Sequence, residues 1–427
     1  MTIALGIIAL FLILLATSVP VFVAMAVSAI LGNYLLGGSD LLQDAALTSY
    51  NALNSFVLLA VPLYILAGTL LQQTGLSERL FAFAASLVAG MRGGLGVATV
   101  IACAIFAAIS GSSVATAATI GLVAIPALTR NGYPLARAGG LIAGGGTLGI
   151  LIPPSIALLL YGVLTDQSIG ALFVAGVVPG ILLAVLMALY TVVVNPKDPN
   201  AEPVSAARIV RATLDAGPIL LLPILIFAGI YTGIATATEV AALAVVYTVL
   251  VGLFTRTLGW RQLYRAGLGA THASVMIFML VAFGSLMTNF FTVTRVPQAI
   301  TEVIAGSGLG FFGIVTIMVV FYLVLGMFLE ALSMMLITIP ILYPVAQAAG
   351  IDPLAFGIFV VLAIEVAQIT PPVGINLFTV SQIGKIPFES MARSIIPYVI
   401  LMIFTMYLVV YWQDLATWLP HTMDYSK

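Results

Sequence analysis

Apolar runs of 16 to 30 residues, each closed by a charge or by a glycine or proline break, follow one another along almost the whole chain. A helix needs roughly 20 apolar residues to cross about 30 Å of hydrocarbon. The pattern predicts crossings near 3 to 18, 20 to 38, 56 to 73, 138 to 164 and 169 to 194, then near 217 to 234, 236 to 255, 268 to 291, 354 to 383 and 395 to 412. Between the third and fourth crossing of each half lies a further apolar segment, 95 to 129 and 309 to 347, interrupted midway by small or polar residues. Each reads as a hairpin that enters and leaves by one face. Non-helical backbone at that depth survives only where protein or a water-filled cavity satisfies its polar groups, so such tips usually belong to binding sites. Segments 41 to 52, 75 to 92 and 294 to 306 are mixed in polarity and too short to cross, which predicts interfacial helices.

The punctuation of the two halves runs in step. Gly68 to Gly90 and Gly284 to Gly306 are both 22 positions apart, and Gly68 to Gly111 and Gly284 to Gly326 are 43 and 42. Pro134 to Pro154 is 20 positions against 19 for Pro353 to Pro372, and Pro179 and Pro397 each lie 25 beyond. The expected fold class is therefore an all-α polytopic membrane protein of two repeats, 1 to 195 and 216 to 427, joined by a polar cytoplasmic linker at 196 to 215. Five crossings per repeat turn the second copy upside down. Carriers built this way place substrate and ions where broken helices of the two halves face each other near the bilayer midplane.

Composition agrees: 62% of the 427 residues are hydrophobic and 7% charged, against about 25% charged in soluble domains. A net charge of -1 without a basic stripe argues against nucleic acid. The sequence has no Gly-Lys-Ser/Thr loop to cradle ATP, no metal-spaced His/Cys/Glu cluster and no evident nucleophile and base pair, so it does not read as an enzyme. The single cysteine, Cys103, cannot form an internal disulfide, and the N-terminus lacks a positive n-region and reads as a first span. Under the predicted topology twelve of the fourteen basic residues fall on one side, which makes that side cytoplasmic and both termini periplasmic.

The candidate chemistry lies at the interruptions. The first tip reads Ser110-Gly111-Ser112-Ser113, facing a span broken at Gly149-Ile-Leu-Ile152-Pro153-Pro154-Ser155. The second tip, Gly326-Met-Phe-Leu-Glu330, faces Thr370-Pro371-Pro372-Val-Gly374-Ile-Asn376. Consecutive prolines remove donors and free carbonyls, which with serine hydroxyls make hard oxygen cages, while half-helix N-termini offer N–H groups to an anion. The bland reading of the small residues is close helix packing. Glu330 sits in an otherwise uncharged stretch, where it coordinates a cation, takes up a proton, pairs with an arginine or makes a structural hydrogen bond. Arg295 is a basic outlier near the external side, either a planar fork for a substrate carboxylate or an interfacial anchor. Glu239 follows Thr236 at capping-box spacing and reads as structural. Glu365 either tunes the second cage or hydrogen-bonds across spans, and His272 reads as structural.

Taken together, Ser110-Gly-Ser-Ser-Val-Ala115, Ile152-Pro-Pro-Ser155, Thr236-Ala-Thr-Glu239, Arg295-Val-Pro-Gln298, Gly326-Met-Phe-Leu-Glu330 and Ile369-Thr-Pro-Pro-Val-Gly-Ile-Asn376 resemble the large membrane subunit of a tripartite ATP-independent periplasmic (TRAP) transporter, the dicarboxylate and sialic-acid carrier family. The resemblance covers almost the whole chain. It implies an elevator carrier in a bacterial inner membrane, coupled to two or more sodium ions and importing a small organic acid. It also implies two companions, a small four-helix membrane subunit and a periplasmic substrate-binding protein. By the same resemblance Ser110, Ser112, Arg295, Glu330 and Asn376 contact substrate. Sodium falls to Ser110, Ser113, Gly149, Ile152, Pro153, Pro154, Gly326, Thr370, Pro371 and Gly374, mainly through backbone oxygens. The chain departs from the family at Thr116, where members often carry an acid, and at Glu330, where aspartate is usual. The alternative is a stand-alone sodium and carboxylate symporter of related fold.

Overall fold

The structure is a computed structural model that describes residues 2–195 and 204–423, and among the described residues it contains helices and turns but no strand. The helices are α1 (Thr2–Ala16), α2 (Val21–Leu53), α3 (Ala60–Gln73), α4 (Ser77–Leu87), α5 (Gly94–Ser110), α6 (Ser113–Arg130), α7 (Leu135–Gly146), α8 (Leu148–Leu151), α9 (Ile156–Thr165) and α10 (Ile169–Val194). There follow α11 (Ala206–Tyr231), α12 (Ala237–Phe254), α13 (Trp260–Val293), α14 (Val296–Gly306), α15 (Phe311–Leu325), α16 (Ala331–Ala348), α17 (Pro353–Ile369), α18 (Ile375–Gly384), α19 (Phe388–Tyr411) and α20 (Asp414–Thr422). The element order from α3 to α10 recurs from α13 to α19. Paired lengths agree as well, with 11 residues in α4 and α14, 18 in α6 and α16, and 10 in α9 and α18.

Ten helical stretches among the described residues are long and apolar enough to cross a membrane. They differ from the sequence pattern in instructive ways. The predicted first crossing, α1, has 15 residues and reaches about 22 Å, short of the hydrocarbon thickness. The crossings at 138 to 164 and 354 to 383, by contrast, break as the double prolines predict, at residues 152–155 between α8 and α9 and at residues 370–374 between α17 and α18. The predicted interfacial helix at 41 to 52 falls in the C-terminal part of α2, set off from the first part by non-helical backbone at Gly38 (φ 63, ψ -140). The linker is shorter than expected because α11 already begins at Ala206, while residues 196–203 lie outside the described part.

Several hydroxyls inside spans are satisfied by their own helix. Thr99, Thr191, Thr248, Ser274 and Thr405 each donate to the carbonyl four residues earlier at 2.7 to 2.8 Å, the internal solution a helix in lipid requires. Small residues then bring helices of the two halves together. A Cβ at Gly140 would lie 2.9 Å from Ser394, and one at Gly144 would lie 2.7 Å from the Tyr398 ring, so α7 and α19 touch where lipid gives no hydrophobic drive for association.

Two packed groups result. One holds α1, α2, α3, α11, α12 and α13, and the other holds α5 to α10 with α15 to α20, while the short helices α4 and α14 bridge to both groups. At the edge of the first group, Thr236 and Glu239 form a capping box: the Glu239 carboxylate accepts from the Thr236 backbone N–H at 2.8 Å, and the Glu239 N–H donates to Thr236 Oγ1 at 3.3 Å. The structural reading of Glu239 therefore stands. Thr236→Ala is expected to lower stability by about 1 kcal/mol, measured by thermal unfolding in detergent, and Thr236→Ser is expected to restore it.

Candidate functional site

An open cleft of about 510 Å³ separates the two groups of helices. Its floor is made by the two tips and by residues flanking the breaks, Ile150, Ile156, Gln368 and Ile375. Tip one turns between α5 and α6, where Gly111 adopts the left-handed conformation (φ 59). A Cβ there would lie 2.8 Å from the Pro154 carbonyl oxygen, so only glycine lets the tip seat on the first break. A Cβ at Gly149 would meet the Ser112 carbonyl oxygen at 2.5 Å and the Ser113 Cα at 2.7 Å. Tip and break are thus in direct backbone contact.

Hydroxyls hold the tip in shape. Ser112 caps α6 by accepting from the Ala115 N–H at 3.4 Å, Thr116 Oγ1 donates to the Ser112 carbonyl at 2.8 Å, and the Ser110 and Thr116 hydroxyls lie 2.9 Å apart. Thr116, at the position where the resembling family often has an acid, is fully buried and serves the tip's own geometry. On the opposite side of the first break, Ser155 caps α9 by accepting from Leu158 N–H at 3.2 Å and donates to the Ile150 carbonyl at 2.5 Å.

The second tip is built differently. Gly326 packs on α17, where a Cβ would lie 2.1 Å from that of Ala367. Glu330 caps α16: its Oε1 accepts from the Ser333 N–H at 2.8 Å and the Ser333 hydroxyl at 2.7 Å, and its Oε2 accepts from the Leu332 N–H at 3.3 Å. A helix N-terminus and these donors stabilise an anion there. Glu330 thereby remains half-buried and lines the cleft. In the second break, Gly374 is left-handed (φ 51), and the site of a Cβ on it would be 3.1 Å from the Gln368 carbonyl and 3.3 Å from that of Thr370. Both double prolines, Pro153-Pro154 and Pro371-Pro372, have cis peptide bonds.

The two assemblies meet. Ser113 Oγ, on tip one, donates to Gln368 Oε1, in the last turn of α17 just before the second break, at 3.3 Å. Ser110, Ser112, Ser113, Glu330 and Gln368 consequently share one cleft, and Gly149, Pro154, Gly326 and Gly374 lie against its two tips and breaks. Ile152 and Thr370 take extended backbone at the two points where helix stops.

Two expected substrate contacts are not brought into the cleft. Arg295 is exposed at the left-handed corner (φ 55) between α13 and α14. The cleft is lined by α13 at Ile277, and the helix runs roughly 24 Å farther before it ends at Val293. Asn376 is fully buried, and its Nδ2 donates to Glu365 Oε2 at 3.4 Å. The turn at Gly374 sets the phase of α18 so that its neighbour Ile375 lines the cleft instead. His272 is exposed on the lateral face of α13. Sequence reasoning missed Thr69 and Gln72, which line the cleft from α3 with Ile65 and Gly68. Their signal is a polar stripe at helical spacing in an apolar span.

Comparison with known proteins adds an independent line. The family model "Tripartite ATP-independent periplasmic transporter, DctM component" matches residues 8–415. A C4-dicarboxylate TRAP transporter large permease protein of Vibrio cholerae serotype O1 is 36% identical, with 95% of each chain covered. An isethionate TRAP transporter permease protein of Oleidesulfovibrio alaskensis, DctMQ, is 33% identical over 94% of this chain and 64% of its own length. The solved structure of Neisseria gonorrhoeae MtrF, described as illuminating a class of antimetabolite efflux pumps, superposes with a TM-score of 0.66 at 16% identity over 95% of both chains, and shares the fold.

The contact of Gly149 with tip one gives a direct check. Gly149→Ala is expected to displace the tip and reduce substrate uptake by roughly tenfold or more while the chain still inserts. Gly217→Ala, in a helix with nothing within 4 Å of its Cβ position, is expected to transport normally in the same uptake assay.

Proposed function

The chain belongs to the family of DctM components of tripartite ATP-independent periplasmic transporters, and on that premise we propose that it imports an organic acid by sodium-coupled secondary active transport. It is a transport permease of the membrane, and its relatives are permeases. The observation that carries the finer reading is the convergence on one cleft of both tips and of the helix ends that flank both breaks, with Glu330 and the tip-one serines facing it.

In this reading the freed carbonyls at residues 149–154 and 370–374, with the Ser110 and Ser113 hydroxyls, coordinate sodium, and the ions supply the positive field that attracts the substrate carboxylate. Capped N-termini of α6 and α9 add N–H donors. The helices α5 to α10 and α15 to α20 move as one transport body against α1 to α3 and α11 to α13, carrying the cleft across the membrane as an elevator, with α4 and α14 as arms. The basic side faces the cytoplasm of a bacterial inner membrane.

A periplasmic binding protein delivers the substrate, and a small membrane subunit completes the permease. The fused relative supports the second partner, because this chain accounts for only 64% of that protein, whose name joins M and Q. Substrates of the relatives differ, so the acid is proposed only as a carboxylate such as a dicarboxylate or sialic acid.

Vesicles containing this chain and the small subunit, supplied with binding protein, test the reading. Uptake of labelled acid is expected to require an inward sodium gradient. Equal uptake in potassium with a proton gradient would overturn sodium coupling, and equal uptake without binding protein would make the chain a stand-alone symporter. Glu330→Gln keeps an acceptor for the α16 cap but removes the charge, and is expected to slow uptake by roughly tenfold or more.

A further inference from the structure

A second polar cluster lies behind the second break, outside the cleft. Glu365 projects from α17 and Asn376 from the first turn of α18, one on each side of the break, and both are fully buried. Asn376 Nδ2 donates to Glu365 Oε2 at 3.4 Å. The remaining oxygen of each group, Glu365 Oε1 and Asn376 Oδ1, has no hydrogen-bond partner. Among the described residues no Lys, Arg or His pairs with this carboxylate. Two buried acceptor oxygens with incomplete pairing are costly in a protein interior and more so within a membrane.

The surroundings supply further oxygens and no cation. The Ser113 hydroxyl, from tip one, lies beside Glu365 and bonds Gln368 Oε1 at 3.3 Å. The Gln368 carbonyl stands four residues before Pro372, which has no N–H to give it. Carboxylate, amide, hydroxyl and carbonyl oxygens are the donor set of a hard cation, and a single carboxylate balances one positive charge.

We propose that Glu365 and Asn376 form a side-chain binding site for a monovalent cation, sodium, behind the second break and distinct from the backbone cages at the tips. This rests on the sodium coupling proposed above and adds to it. An ion held here joins α17 to α18 across the break and, through the neighbouring Ser113 and Gln368, ties the break to tip one. Loading of the ion thus stiffens the cleft floor before substrate arrives.

The test measures sodium binding to the detergent-purified full chain at fixed pH, with choline replacing sodium at constant ionic strength. Thermal midpoint gives affinity, and bound radioactive sodium gives the number of ions. Wild type is expected to gain stability with sodium. Glu365→Gln preserves shape and offers its own N–H to Asn376 Oδ1, so it imitates a carboxyl neutralised by a proton. It is expected to bind one ion fewer and to need roughly tenfold more sodium or beyond. Sodium binding in Glu365→Gln equal to wild type would overturn the site and leave a protonated acid and amide pair in its place. Should that variant not fold, Glu365→Asp keeps the charge but withdraws it by one methylene; weaker sodium binding supports the site, and unchanged binding overturns it. A wild-type chain indifferent to sodium in both readouts would remove the sodium reading itself, whereas a wild-type response that both variants retain removes this site alone.

Discussion

Every backbone N–H and C=O inside hydrocarbon needs a partner within the protein, and this one demand organises the molecule. Where a span is broken by Pro153-Pro154 or Pro371-Pro372, donors are lost and carbonyls are released. Such a break is tolerable only if something polar covers it. Here the cover is a hairpin tip: Gly111 and Gly149 let tip one lie on the first break, and Gly326 lets tip two lie on the helix entering the second. The Ser113 to Gln368 bond then fastens the two assemblies to each other. The same loosened backbone that would be a liability in lipid is thereby packed among the tips and helices that frame the cleft.

Function follows from which groups are spent on holding the floor and which remain. Thr116 and Ser155 are consumed by local geometry. Glu330 is satisfied by its own helix N-terminus yet keeps a face to the cleft, so it contributes charge without needing a fixed countercharge. Glu365 is the opposite case, sealed away with its pairing incomplete. The two acids therefore suit different tasks, one facing the cleft and one facing the packed interior.

Much of this was legible in the chain because its signals are local. Double proline, an isolated Glu330 and the serine run at 110–113 act through rules that hold wherever they occur, and the structure turns or breaks the chain at each. What escaped depends on longer range. Arg295 stands out as a charge, but its distance from the cleft is set by the uninterrupted run of α13 beyond Ile277, which no motif records. Asn376 belongs to the break motif, yet the phase imposed by Gly374 turns it toward Glu365 and gives the cleft to Ile375.

The central claim is that tip one and the second break, more than 250 positions apart in sequence, touch inside the bilayer. Ser113→Cys with Gln368→Cys, in a chain whose Cys103 is replaced by alanine, tests it in native membranes with a short bifunctional thiol reagent. The account predicts rapid intramolecular cross-linking of the pair. Failure to cross-link, with both single cysteines shown to react with the reagent, would contradict it.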